Sequence, residues 1–356
     1  MDKVKVGMIG AGGRAQTHYS SLAEMKDVKM AAICDLNEER TKSTAEKYGI
    51  KERFTDYKLM LEKVDLDAVY AIMDPSYLDP IVTHCLKQGK NIFIEKPPGI
   101  SPEQTRKWAE LAQKNDCKTI VGFQRRFHPI AVEAKRRVEE RNRILYCMAA
   151  FHKHQLLTAF RSWVMTVQRK GGQLSPDYMP SRTTNQLLTD IIHAVDLLLW
   201  MGGDVKKIHS LFGQLYADHE YFDPLHVNFW SAAFEFKSGG VGFLSSNRTA
   251  GGRALYFEMH GKGISAYGNI PGLPGIDNCL IQKDDEPYEK AEVIKNEQLI
   301  GINAPRTHLD GSFQVNRHFI DCIKEDGTPQ INFEEAVKTM EVISEILLGR
   351  RLPPVF

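Results

Sequence analysis

The chain has 356 residues, 42% hydrophobic and 26% charged, which excludes a disordered chain and implies about two domains at roughly 150 residues each. Its 46 Lys and Arg stand against 45 Asp and Glu, a net charge of +1, without the basic excess of a phosphate-tracking nucleic-acid binder. No uninterrupted apolar run approaches the roughly 18 residues of a membrane span, and the charged start Met1–Lys5, leading straight into a strand, is unlike a signal peptide. The cysteines are scattered with no CxxC pair. They read as buried free thiols in a reducing, cytoplasmic compartment.

Through the first third, short apolar runs alternate with helical segments. The runs are Val4–Ile9, Lys29–Cys34, Ala68–Met73, Asn91–Ile94 and Thr119–Phe123, and they read as strands buried on both faces. Between them lie Glu38–Tyr48 with its Gly49 stop, Pro80–Gln88 ending at Gly89, and a helix start at Ser101-Pro102-Glu103, where serine caps and proline takes the first turn. Such alternation predicts a doubly wound parallel sheet, a Rossmann domain over residues 1–125.

Residues 126–356 have another texture and predict an α+β domain with a large, mainly antiparallel open sheet. Arg143–Phe151 reads as a strand and Asn185–Met201 as an apolar helix. Val227–Phe236 and Val241–Ser246 face each other across Lys237–Gly240, a hairpin signal, and Leu255–His260 continues the meander. The last helix, Phe333–Leu348, lines Ala336, Val337, Met340, Ile343, Ile346 and Leu347 along one face, for packing within this domain or back on the first. An open sheet leaves one face to cover, so a homo-oligomer, dimer or tetramer, is expected.

Gly10-Ala11-Gly12-Gly13-Arg14-Ala15 follows the first strand and opens a helix. This is the GxGxxA dinucleotide fingerprint: one glycine for the tight turn, one for the close approach of a pyrophosphate, and a small residue for helix–strand packing. Asp35 ends the second strand, placed to accept hydrogen bonds from the adenosine ribose. Its charge would repel a 2′-phosphate, so NAD is expected over NADP, with Arg40 nearby to soften the preference. A plain turn with a strand-end acid would not require this joint spacing. Asp74 and Pro75, closing the third run, are further candidates for cofactor contact.

Ile94-Glu95-Lys96-Pro97, with that fingerprint, resembles the Gfo/Idh/MocA oxidoreductases, sugar and inositol dehydrogenases with a Rossmann domain and a C-terminal open-sheet domain. The resemblance extends to His18, to Gly89-Lys90, to Val121–Phe127, to Arg161-Ser162-Trp163, and to His193–Trp200, similar to the family's catalytic helix. It implies a cis Lys96–Pro97 peptide, Lys96 holding the substrate oxygen, and His193 taking the hydroxyl proton, work suited to imidazole. Glu95 is expected to support the loop. Many relatives place a carboxylate four residues before the histidine. This chain has Thr189 there and Asp190 one residue later, so Asp190 is the expected polar partner of His193.

Arg125 and Arg126 are expected toward cofactor and substrate, the plainer reading being a solvated basic pair. Arg161 and Trp163 are expected over the nicotinamide end, and Asn185 and Thr189 beside the substrate. His152 and His154 share a strand face. No third ligand follows at a metal spacing, so no metal is expected and both read as polar neighbours of a sugar. The stretch from Gln155 to Asn185 reads as a loop region shaping substrate choice.

These observations point to an NAD-dependent oxidoreductase acting on a secondary hydroxyl of a sugar, cyclitol or glycoside. No nucleic-acid or membrane partner is expected. Lys96 and His193 lie on different domains and are expected to converge on one substrate hydroxyl. The alternative is an NAD-dependent glycoside hydrolase in which oxidation is transient. A non-catalytic dinucleotide sensor ranks third, since both Lys96 and His193 are present.

Overall fold

The computed structural model describes residues 3–153, 187–213, 227–247, 253–271 and 275–352. They fall into two units, Met1–Phe127 with Gly311–Met340, and His128–Asp310 with Glu341–Phe356.

In the first unit, β1 (Val4–Ile9), β2 (Val28–Cys34), β3 (Glu52–Phe54), β4 (Ala68–Ala71), β5 (Asn91–Ile94) and β6 (Thr119–Val121) pair in the order β3-β2-β1-β4-β5-β6. Every pairing is parallel, so the strands need crossover helices. These are α1 (Gly13–Ala23), α2 (Glu38–Tyr48), α3 (Tyr57–Lys63), α4 (Leu78–Lys87) and α5 (Pro102–Lys114). Strand order reverses between β1 and β4, the place where ligands of such sheets collect beyond the carboxyl ends. The apolar runs account for every strand except β3, which is three residues long with Glu52 and Arg53 exposed. An edge strand of that kind carries no hydrophobic signal.

Past the boundary expected after residue 125, the chain returns to the first unit over residues 311–340, which include the start of the last helix. Helix Ser312–Lys324 brings Phe319 edge-on to Tyr70 and Phe93, ring centroids 5.8 and 5.9 Å away. Arg317 and Lys324 both bind the Asp27 carboxylate. The Val121 amide donates to the Ile331 carbonyl at 3.0 Å. Apolar contact and ion pairing thus commit residues 311–340 to the first unit, a commitment that local periodicity cannot register.

The second unit carries α6 (Pro129–Arg141), α7 (Ile192–Gly202) and a sheet ordered β14-β13-β12-β11-β7-β10-β9-β8-β15. The central members are β7 (Tyr146–Lys153), β8 (Val205–Gly213), β9 (Phe229–Phe236), β10 (Val241–Asn247), β11 (Arg253–Gly261), β12 (Ile264–Asn269) and β13 (Asn278–Lys283), with short β14 (Glu292–Lys295) and β15 (Arg350–Arg351) at the edges. Only β7 with β10 and β8 with β15 pair in parallel; the other pairings are antiparallel.

Register divides the side chains cleanly. Cys147, Ala149, Leu244, Trp230, Phe234, Phe257 and Met259 occupy one buried face, the one on which α7 lies, with the Cys147 Sγ 4.0 Å from the Leu198 carbonyl. Val241, Phe243, Tyr256 and Tyr267 stand exposed on the other. Burial pushes the thiols of Cys34, Cys85, Cys147 and Cys279 up to about 12, so they are packing groups rather than nucleophiles.

Candidate active site

Gly10 closes β1 with φ +102°, and a Cβ there would stand 2.1 Å from the Ile72 carbonyl oxygen, so the turn requires glycine. Among the described residues no side chain caps the start of α1, and a Cβ on Gly13 would meet nothing within 4 Å. The Gly13 and Ala15 amides therefore offer donors at the positive end of a helix, which suits a pyrophosphate. Asp35 accepts from the Ala11 amide at 2.8 Å through Oδ2 and from the Asn37 amide at 2.9 Å through Oδ1. Each oxygen retains a lone pair for a ribose hydroxyl. Arg40 Nη2 lies 3.9 Å from Oδ1, so the acid is partly balanced. The turn, the open helix start and the acid together fit NAD.

Asp74 does not stand idle beyond β4. Its Oδ1 accepts from the Ser76 amide at 3.0 Å and the Ser76 hydroxyl at 2.6 Å, capping the short 3-10 turn Pro75–Tyr77.

The Lys96–Pro97 peptide is cis, as the resemblance implied, and Lys96 is half-buried just after β5. Glu95 beside it is buried, and both of its carboxylate oxygens are bonded. Its Oε1 accepts from Arg14 Nε at 2.7 Å, is ion-paired with Arg14 Nη2 at 2.7 Å, and stands 3.0 Å from His18 Nε2. Its Oε2 accepts from the Lys96 amide at 3.2 Å. Burial alone would raise the Glu95 carboxyl, but the Arg14 charge and the His18 hydrogen bond outweigh it and hold the group below the usual carboxylate range. Arg14, expected at the cofactor, thus has its guanidinium on Glu95. A Cβ on Gly122 would come within 2.8 Å of Oε1, so the close approach needs glycine there.

Arg125 and Arg126 sit in the 3-10 turn Gln124–Phe127 after β6, only 3% and 5% exposed. They are therefore not a solvated basic pair.

In the second unit the expected helix begins as a π-helical turn, Leu187–Ile191, before α7. Such widened turns occur frequently at functional sites. His193 follows it on the second residue of α7 and is buried. Asp190, on the π turn, ion-pairs with Lys153 Nζ through Oδ1 at 3.2 Å and Oδ2 at 3.3 Å.

His152 stands on the open face of the sheet. Strand alternation puts it with Tyr146, Met148 and Ala150 along the open face, where its ring meets Tyr256 and its Nδ1 accepts from the Asn247 amide at 3.1 Å. Burial lowers its pKa. Lys153, the neighbour passed over, projects to the face that carries α7. Tyr146–Phe151 is apolar at nearly every position, so the sequence offers no contrast by which to assign the two faces. His154, Arg161, Trp163 and Asn185 lie outside the described residues, as does the side chain of Thr189. Among the described residues no cluster of His, Cys, Asp or Glu could hold a metal ion, and no helix is long and apolar enough to cross a membrane. Sequence reasoning gave no role to Asn316, whose meaning depends on the return of residues 311–340.

Residues 4–123 match the model of the oxidoreductase family, NAD-binding Rossmann fold, known as Gfo/Idh/MocA. The fold and the cradle accordingly define an NAD-dependent oxidoreductase. The chain is 25% identical over 250 residues to a myo-inositol 2-dehydrogenase of Thermotoga maritima, covering 69% of each protein. It is 29% identical over 327 residues to the uncharacterized oxidoreductase YrbE of Bacillus subtilis, covering 87% of this chain and 90% of that one. Among solved structures, a levoglucosan dehydrogenase complexed with NADH and L-sorbose shares the fold with a TM-score of 0.79 at 18% identity, over 98% of this chain and 97% of its own. The family match thus covers residues 4–123, the dinucleotide-binding part of the chain, and the similarity to the relatives named here extends beyond it.

Proposed function

We propose that the protein oxidises a secondary hydroxyl of a sugar, cyclitol or glycoside, with Lys96 and His193 at the reacting oxygen. The observation that carries this reading is the fastening of Lys96: its amide is bound by Glu95, which Arg14 ties to the first turn of the nucleotide-binding helix. Bound NAD supplies the hydride acceptor. Lys96 holds the hydroxyl oxygen and stabilises the charge that grows on it as the carbon–hydrogen bond breaks. His193 takes the hydroxyl proton, and the product is a ketone. Asp190 and Lys153 hold the turn leading into His193, and Arg125 and Arg126 serve cofactor or substrate. The inositol and glucoside dehydrogenases among the relatives support a polyhydroxylated substrate. The open sheet face supports assembly of the protein with its own copies.

The test is a screen of myo-inositol, D-glucose and aryl glucosides with NAD, following NADH and aglycone together. Stoichiometric NADH supports the dehydrogenase; aglycone without NADH supports transient oxidation in a glycosidase instead. With a turning-over substrate, Lys96→Ala is expected to cost about a hundredfold or more in kcat with NAD affinity nearly kept. His193→Ala is expected to cost about 10²–10⁴ and to alter the pH profile. Near-normal turnover in either variant would sink the assignment. Asp35→Ala is expected to weaken NAD much more than NADP, and equal losses would remove its role in cofactor choice.

A further inference from the structure

His18 is wholly buried in α1, with no part in the chemistry above. Its Nε2 stands 3.0 Å from Glu95 Oε1 and its Nδ1 3.1 Å from Asn316 Oδ1. The Asn316 amide is oriented by its own Nδ2, which donates to the Ser312 carbonyl at 2.6 Å, so the carbonyl oxygen is the atom presented to the ring. Each ring nitrogen thus faces an oxygen, Nε2 that of Glu95 and Nδ1 that of Asn316, and the ring is held between the two. The ring has little freedom to tilt, because Phe93 lies edge-on at 4.8 Å and Tyr70 at 6.0 Å between centroids. Asn316 and Phe319, three residues apart on one helix face, enter the unit together.

Each link has one outlet. Asn316 fixes the His18 ring; His18, with Arg14, fixes Glu95 Oε1; and Glu95 Oε2 binds the Lys96 amide. We propose that Asn316 and His18 are positioning residues for Lys96, holding through Glu95 the backbone from which its side chain reaches the substrate. The inference rests on the reading of Lys96 given above. A buried carboxylate held by a guanidinium and an imidazole carries a desolvation cost that apolar packing would avoid. What the charged cluster adds over such packing is a directed hydrogen bond to one amide. Placement matters there, because a misplacement of about 1 Å at a reacting group costs on the order of a hundredfold in rate.

The test uses the full chain with NAD and myo-inositol or D-glucose, whichever turns over, and reads kcat, KM, NAD affinity and Tm. Asn316→Leu removes the acceptor opposite Nδ1, whereas Asn316→Asp keeps one. His18→Phe removes the donor to Glu95, whereas His18→Gln keeps one. Asn316→Leu and His18→Phe are expected to lower kcat about ten- to a hundredfold with NAD affinity within about threefold, and Asn316→Asp and His18→Gln to recover most of that loss. A site that merely packs gives the opposite order at 316, because burying an added charge costs more than burying leucine. Full kcat in Asn316→Leu or His18→Phe while Lys96→Ala is inactive overturns the relay and leaves the reading of Lys96 intact. Losses that follow Tm without recovery by the bonded variants also overturn it. Full activity in Lys96→Ala shows instead that the reading of Lys96 has failed. Should His18→Phe not fold, the Asn316 pair decides.

Discussion

Two carboxylates in this protein stand beside lysines and use them differently. Glu95 in the first unit is 6% exposed and binds the backbone of Lys96, with Arg14 and His18 on its other oxygen. Asp190 in the second unit is 19% exposed and binds the side chain of Lys153, itself 37% exposed. The first arrangement holds a lysine by its backbone amide. The second takes up the amine and so makes the lysine part of the support. Solvent access sets the scale: a buried carboxylate that loses its donors, or donors that lose their carboxylate, have no water to replace them, while a partly exposed pair does.

The difference predicts unequal responses to neutral replacement. Glu95→Gln keeps one acceptor but turns an amide N–H₂ toward either the Lys96 amide or the Arg14–His18 donors. It is expected to cost about 3–5 kcal/mol in stability, as for a broken buried ion pair, together with most of the activity. The pH dependence has a definite sign. The folded-state pKa of Glu95 lies below its unfolded value, so its contribution is complete above the ordinary carboxylate range and is lost as pH falls through the folded value. Denaturant melts of wild type and Glu95→Gln should therefore differ most near neutrality and converge under acid. A gap constant with pH would mean that Glu95 contributes through shape alone.

In the second unit, Asp190→Asn is expected to cost about 0.5–1 kcal/mol, because the pair is partly solvated and screened. Lys153 and His152 sharpen the contrast further, since adjacent residues on a strand point to opposite faces. Lys153→Met should lower turnover through the turn that leads into His193, whereas His152→Ala should leave turnover near wild type. Equal losses in the two would contradict the strand parity.

Legibility followed the same division. The fingerprint, Asp35 and the Glu95-Lys96-Pro97 turn were readable because each is a short run with fixed spacing relative to a strand end. The linkage of His18 to Asn316 was not, as its members lie 298 residues apart and meet only because the chain returns to the first unit. The face of Lys153 was hidden by the apolar character of both sides of β7. His154, Arg161, Trp163 and Asn185 stay as sequence expectations, outside the described residues.

The smallest expected effect on stability concerns the open face of the second sheet. Val241, Phe243, Tyr256 and Tyr267 are 38% to 49% exposed in the protomer, while their neighbours in register on the opposite face are buried. Leaving these side chains in water forgoes about 25 cal/mol for each Å² of apolar surface that a partner would cover, and a contiguous group of this kind commonly marks an association surface. Phe243→Glu should change the stability of the isolated protomer by about 0.5 kcal/mol or less, since the side chain already contacts solvent. In an assembled protein it should instead set carboxylates against an apolar partner face and shift sedimentation toward the monomer. The measurement is sedimentation velocity on wild type and variant over a range of protein concentrations. A wild type that sediments as a monomer throughout, or a variant that assembles as readily as wild type, would remove this face as the site of self-association and leave its aromatic side chains without a role in assembly.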